Sequence, residues 1–317
     1  MIFSNEDIPQ ITQRGMTLNQ VLQQLETFKK GIPYVDVVAA ATTNNGILKL
    51  SKAAEKACVL RFEKVRNRLN MLKFVPASGA ASRMFKSLFE FLDEFKPENE
   101  SFDAYLNRKK TSDIATFFTA LEQFPFYDAV IKHVSGNYPE YKSLSYSHQN
   151  YLFVKAILDR EALNYGEYPK ALLPFHRYET HSATAFEEQL SEAVLYSTSG
   201  NTARLHFTLT AQHLQHFRET LSEVKNRVAK HKDIQFSIAF SCQKQHTDTL
   251  AVTLDNTPFR DENNRLIFRP SGHGALLENL NDQDADLIFI KNIDNVAVVS
   301  YAEEISFYKK VLAGKLL

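Results

Sequence analysis

A chain of 317 residues is long enough for one large α/β domain or two smaller ones. With 44% apolar and 23% charged residues, and 37 acids against 37 bases, it has an ordinary globular composition. It lacks the basic excess of a dedicated nucleic-acid binder. Cys58 and Cys242 stand far apart, which excludes a disulfide framework and a CxxC metal site. The opening MIFSNEDIPQITQRGM has neither the basic start nor the apolar stretch of a signal peptide. No apolar run reaches the roughly 20 residues that span a bilayer. A cytoplasmic setting is expected.

The first 70 residues read as a helical N-terminal extension. In TLNQVLQQLETFKKG, Leu18, Val21, Leu22, Leu25 and Phe28 fall at helical spacing, and Gly31 and Pro33 end the run. A second helix is expected from Ser51 to Asn70, with a basic outer face that reads as solvated. In MLKFVPASGAASRMFKSLFEFL a strand from Leu72 to Val75 meets a small-residue loop and then an amphipathic helix. Residues 97 to 165 read as a helical insertion rich in Phe and Tyr. Beyond Pro169, strands are expected at Ala203–Leu209, Ile234–Phe240, Thr249–Leu254 and Asp286–Lys291. Helices at Thr184–Tyr196 and Ala211–Lys230 lie between them, the first opening with Thr184 and Glu187 at capping-box spacing. Strands alternating with helices predict an α/β domain over 71–317, built on a doubly wound, mainly parallel, Rossmann-like sheet.

Ligands of such sheets bind beyond the carboxyl ends of the strands. The loops after Val75, Phe240 and Lys291 all fall there. In PASGAASR, small side chains let backbone N–H groups approach an anion, and Arg83, placed in the first turn of the next helix, adds a charge. The alternative is a tight turn with Ser82 as N-cap. Pro169 holds Lys170 as a stiffly mounted point charge, or simply starts a strand. In SGHGALLENL, Gly272 and Gly274 flank His273 at a helix start. In KNIDN, Asp294 follows an apolar strand, either as an oxygen ligand for Mg²⁺ or as part of an Asx turn.

The order of these four features resembles that of the sugar nucleotidyltransferases, in particular the UDP-sugar pyrophosphorylases with their glycosyltransferase-A-like fold. Gly79–Met84 (GAASRM) is similar to the G-x-G-[ST]-R-[ML] loop of that family. PKALLP, PSGHG and NIDN resemble its later motifs. The chain also resembles, over nearly its full length, an uncharacterised bacterial domain family distantly related to these enzymes. The resemblance implies a transfer of a nucleotidyl group from a nucleoside triphosphate, UTP by type, to a sugar 1-phosphate with release of pyrophosphate, assisted by Mg²⁺. It implies that Gly79, Ala80, Ser82 and Arg83 hold the triphosphate and that Lys170 stabilises the α-phosphate. Gly272, His273, Gly274 and Gln243 would line the nucleotide, and Asp294 would ligate the metal.

The sequence departs from the family pattern in three ways. Ala81 replaces the second loop glycine. A long insertion separates Arg83 from Lys170. The chain stops at Leu317, where the family continues into a sugar-binding half with a second metal-binding acid. Glu303 and Glu304, the remaining acids there, read as helix surface. Either the sequence is truncated at its C-terminus or the site is incomplete. A non-catalytic nucleotide-binding scaffold or sensor is therefore the alternative function, and a helical interaction module a third.

Overall fold

The computed structural model describes residues 2–110, 112–229 and 234–317. The chain opens with α1 (Asp7–Gln13) and α2 (Leu18–Lys30), the latter started by a complete Thr17–Gln20 capping box. Ile11, Val21 and Leu25 pack against Leu250, Leu266 and Phe268 from the far end of the chain. Two two-residue strands, β1 (Thr42–Thr43) and β2 (Gly46–Ile47), interrupt an exposed stretch before α3 (Lys52–Val65). That helix ends earlier than the expected Asn70, passing into a single 3₁₀ turn at Arg66–Arg68.

β3 (Met71–Pro76) is buried at every position, as its apolar composition predicts for a central strand. α4 (Lys86–Glu94), α5 (Phe102–Lys109), α6 (Ser112–Thr119), α7 (Tyr127–Asn137) and α8 (Tyr146–Leu158) follow. Their apolar faces meet in an aromatic core that includes Phe91, Phe95, Phe102, Tyr105 and Phe153. Phe91 alone contacts four rings at centroid distances of 4.8 to 6.1 Å, in the offset and edge geometries that aromatic quadrupoles favour.

A hairpin of β4 (Pro174–Arg177) and β5 (Ser182–Thr184), absent from the sequence-based expectation, then leads into α9 (Ala185–Tyr196). Thr184 caps α9 by accepting from the Glu187 N–H, as its spacing predicts. β6 (Thr198–Ser199), β7 (Thr202–Leu209), α10 (Leu214–Ala229), β8 (Gln235–Cys242), β9 (Thr249–Leu250), β10 (Phe268–Arg269), α11 (Leu277–Asn281), β11 (Leu287–Ile290) and α12 (Ala302–Leu316) complete the chain. Lys230, the expected end of α10, lies outside the described residues.

Four strands lie side by side and parallel in the order β11, β3, β7, β8. β6 turns back antiparallel on the start of β7, so the sheet is mixed. The expected strand 249–254 is not part of it. Thr249 and Leu250 pair antiparallel with β10, and the Ala251 N–H donates to the Ile267 carbonyl. Beyond them Val252 bridges Pro258, and Thr253 caps a tight turn to Thr257 with Asn256 at φ 57°, so the segment folds back on itself and not onto the main sheet.

One face of the sheet carries Val75, Leu205 and Phe207 against Phe186 of α9 and Phe217 of α10. On the same face Phe289 meets Tyr196 of α9 and Phe62 of α3, and α3 packs closely on α12. The opposite face is more polar. Phe74 stacks on His206 at 5.5 Å, the His206 ring pairs with Ser241 at 2.8 Å, and Asn279 of α11 donates to Ser241. What these elements establish is a mixed α/β fold with a mixed sheet.

Candidate functional site

Because β3, β8 and β11 are parallel, the loops that follow them emerge at one edge of the sheet. The loop after β3 stays extended. Ala77 continues the pairing with Thr208, and Ala80 forms an isolated bridge with Pro169. That bridge brings Lys170 alongside, its N–H donating to the Gly79 carbonyl at 3.0 Å. The loop after β11 is fixed in the same way. Lys291 and Ile293 donate to the Phe74 and Pro76 carbonyls, and a tight turn from Asn292 to Asn295 then presents Asp294. Lys170 Nζ reaches Asp294 Oδ2 at 3.3 Å. Three segments separated by about ninety and more than a hundred residues thus meet in one partly open place, with Gly79, Lys170 and Asp294 in it.

The remaining expected residues are placed differently. Ser82 and Arg83 are exposed in an irregular turn, and α4 begins only at Lys86 with no side-chain cap. Arg83 is therefore not in the first turn of the helix, and Ser82 is not its N-cap. The Ala80–Pro169 bridge holds the backbone extended through residue 80, which postpones the helix. Arg83 makes no hydrogen bond or ion pair among the described residues. Ala81 is fully buried, its N–H donating to the Tyr168 carbonyl at 3.1 Å. Its methyl lies in the aromatic core around α4 and α8, not at the open side of the loop.

Gly272 precedes a 3₁₀ turn, His273–Leu276, that runs into the short α11, and His273 and Gly274 are exposed. Gln243, just after β8, contacts Asp248 at 3.5 Å. The loop carrying Gln243 is tied to α11 by Lys244, which lies 3.2 Å from Glu278 and 3.0 Å from Asp282. Gly79, Gly272 and Gly274 have no positive φ. Among the described residues a Cβ at Gly79 would meet only Lys170 Cδ at 3.9 Å, and at the other two nothing within 4 Å. Neither backbone conformation nor packing among the described residues requires glycine at these positions. Glu303 and Glu304 are exposed in the first turn of α12, as expected.

Beneath the Lys170–Asp294 pair lies a set of charges that sequence reasoning missed. Lys73 from the middle of β3 and Lys291 from the end of β11 both reach Glu192 of α9. Lys291 Nζ lies 2.6 Å from each carboxylate oxygen and Lys73 Nζ 3.3 Å from one of them. All three residues are buried. Burial pushes the Lys73 ammonium down to about 7, against the opposing pull of Glu192. Burial alone would raise Glu192, but the two lysines more than offset it and hold the carboxyl below its ordinary range. One helical turn earlier, Gln189 donates to the carbonyls of Asn292 and Ile293 at 2.8 and 3.2 Å. α9 therefore fixes the strand end that carries Asp294. The available signal was a lysine flanked by Leu72 and Phe74 in a strand with no polar face.

Among the described residues no group of three or more His, Cys, Asp or Glu is placed to hold a metal ion. Asp294 stands beside a cation and not beside a second acid. A single carboxylate fits only an ion such as Mg²⁺ that completes its shell from substrate phosphates and water. A cavity of about 400 Å³ lies between α9, the β4–β5 hairpin, α10 and residues 297–302; Glu192 is among its lining residues, but none of the expected site residues is. No helix among the described residues is long and apolar enough to cross a membrane.

Fold and site together define a mixed α/β protein with a lysine–aspartate pair at the carboxyl edge of its parallel strands. The family model described as a domain of unknown function (DUF4301) matches residues 4–317, and the chain belongs to that family. No curated protein and no solved structure matches it. The match agrees with the resemblance to an uncharacterised family, and nothing in the comparisons links the chain to sugar nucleotidyltransferases.

Proposed function

We propose that this protein is a nucleotidyltransferase acting on a nucleoside triphosphate, UTP by type, and a sugar 1-phosphate. The reading includes the finer fold expectation of a doubly wound, Rossmann-like sheet. The observation that carries it is the convergence of Gly79, Lys170 and Asp294 through backbone and side-chain contacts. Three glycines that nothing among the described residues requires add support, because they leave backbone open to an outside group.

In the proposed reaction an oxygen of the sugar 1-phosphate attacks the α-phosphorus. A new P–O bond forms, the bond to the β-phosphate bridging oxygen breaks, and pyrophosphate leaves with the electron pair. The attacking phosphate is already ionised at neutral pH, so no general base is needed and catalysis rests on position and charge. Lys170, anchored by its own N–H on Gly79, supplies positive charge where negative charge grows on the α-phosphate. Asp294 holds Lys170 aimed before substrate arrives and would hold Mg²⁺ jointly with the substrate phosphates. When bound, that ion neutralises charge on the triphosphate. Arg83, exposed and without a partner among the described residues, would close on the outgoing pyrophosphate. Gln243 and the Gly272–Gly274 turn would face the base.

The test is thermal shift and calorimetric titration of the purified protein with a panel of nucleoside triphosphates, each with and without Mg²⁺, on wild type and Lys170→Ala. A Mg²⁺-dependent upward shift with one nucleotide, reduced at least tenfold in affinity by Lys170→Ala, is expected. Absence of any shift, or one indifferent to Lys170, overturns the proposal. Binding without turnover of any sugar 1-phosphate assigns the protein to the scaffold class instead.

A further inference from the structure

Between α2 and α3 the chain is exposed at every position from 31 to 49. Ile32, Tyr34, Val35, Val37 and Val38 lie there with exposures between 80% and 103%. Five large apolar side chains in seven residues, all in water, form a contiguous apolar patch of the kind that marks an interaction site. The segment is β-branched and rich in apolar residues, so its composition is not that of a solvated linker. Both of its ends are anchored. α2 is held through Gln24, which exchanges hydrogen bonds with Asp248 and Leu250, and α3 is capped by Ser51.

A second unpartnered apolar surface lies beside the root of this arm. On the outer side of α12, Tyr308, Leu312 and Leu316 recur at helical spacing and are exposed. With Glu304, Ile305 and Lys309 the first two line a groove of about 280 Å³. Lys52, the first residue of α3, places its ammonium over the Tyr308 ring at 5.8 Å. The arm thus ends where the groove lies. Asp36 is the single charge between residues 31 and 48, and of the two charges lining the groove, Glu304 and Lys309, the lysine offers it a counter-ion.

We infer that the arm, residues 32–38, docks on the α12 groove of a second copy of this chain, and that two copies exchange arms about a twofold axis. The surfaces are complementary and carried by the same chain, so reciprocal exchange closes the assembly and satisfies both arms at once. Outside the β1–β2 turn, the steps from Val38 to Thr42 and from Ile47 to Lys52 can extend roughly 30 Å, enough to cross to a neighbour whose α12 faces its own. Each apolar side chain removes on the order of 100 Å² from water when covered. Two arms of five side chains, with the surfaces they cover, bury about 2,000 Å², above the roughly 1,000 Å² of a stable interface.

The assembly is tested by light scattering and by disulfide trapping. In a Cys58→Ser, Cys242→Ser background, Val38→Cys and Leu312→Cys are introduced together and also in separate chains that are then mixed. The expected results are a mass twice 36.2 kDa, a disulfide-linked dimer in the double variant, and cross-linking between the two single variants on mixing. Val35→Asp with Val38→Asp is expected to give a monomer of unchanged melting midpoint and circular dichroism when compared at low concentration. A monomeric wild type at tens of micromolar overturns the inference. So does a disulfide formed only within one chain, which would mean that the arm covers its own groove, or a dimer indifferent to the two aspartates.

Discussion

Replacing Glu192 with Gln removes the one carboxylate that compensates two buried lysines. Lys73 is held near neutrality by burial already, so in the variant it simply sheds its proton. Lys291 is the costly partner. It loses two contacts of 2.6 Å and has no other carboxylate among its described partners. Breaking one partner out of a buried ion pair costs roughly 3–5 kcal/mol, and Glu192→Gln should destabilise by that amount at pH 7.

The sign with pH follows from proton counts. The unfolded chain keeps Lys73 charged up to its ordinary 10.5, whereas the folded protein releases that proton above about pH 7, so stability rises with pH across this window. Glu192 opposes the release, so without it the Lys73 proton leaves at lower pH still. The variant is therefore penalised most in mild acid, and the difference between the two proteins should be larger at pH 5 than at pH 9. Urea denaturation of both proteins at pH 5 and pH 9 measures it directly. A destabilisation below 1 kcal/mol, or one equal at the two pH values, would refute the reasoning. Lys73→Met, which removes the unfavourable half of the network and leaves the Lys291–Glu192 pair, should stay within about 1 kcal/mol of wild type at pH 7.

Two further perturbations test how the termini are fastened. The Arg260 guanidinium, at 2.8 Å from both Asp7 oxygens, holds that buried carboxyl down to about 2. Its folded value lies below its unfolded 3.8, so the pair contributes above about pH 4 and is lost as pH falls toward 2. Arg260→Ala should cost about 2 kcal/mol at pH 7, and the cost should vanish in acid melts near pH 2. Gly314 sits where α12 crosses α3, and a Cβ there would stand 1.8 Å from the Cys58 carbonyl oxygen. Since backbone cannot step aside cheaply, Gly314→Ala should destabilise by roughly 3 kcal/mol in chemical denaturation.

Much of the sheet was legible because its strands are apolar runs bounded by turns. Met71–Pro76, Thr202–Leu209, Gln235–Cys242 and Leu287–Ile290 lie within two residues of expectation. The β4–β5 hairpin was not legible, because PFHRYETHSAT has no alternation and no Asn-Gly turn to mark it. The helix after the small-residue loop starts late because Ala80 is bridged to Pro169, a contact 89 positions away that no local pattern encodes. The same holds for the site. Asp294 was placed at the sheet edge by its loop after the last strand, whereas Lys170, which follows no strand of the sheet, joined it only through the family resemblance. The Lys73–Glu192–Lys291 network could not be anticipated, since it depends on which turn of α9 faces the strands. Gln189, which fixes the 292–293 backbone from that helix, was hidden for the same reason.

The most direct measurement of the proposed chemistry is isotope exchange, in which labelled pyrophosphate is incubated with the protein, Mg²⁺ and a panel of nucleotide sugars. The account predicts label appearing in a nucleoside triphosphate for one nucleotide sugar, with a rate at least a hundredfold lower in Lys170→Ala and in Asp294→Asn. Exchange undiminished in both variants would contradict the assignment of these residues. No exchange with any nucleotide sugar would contradict the transferase itself.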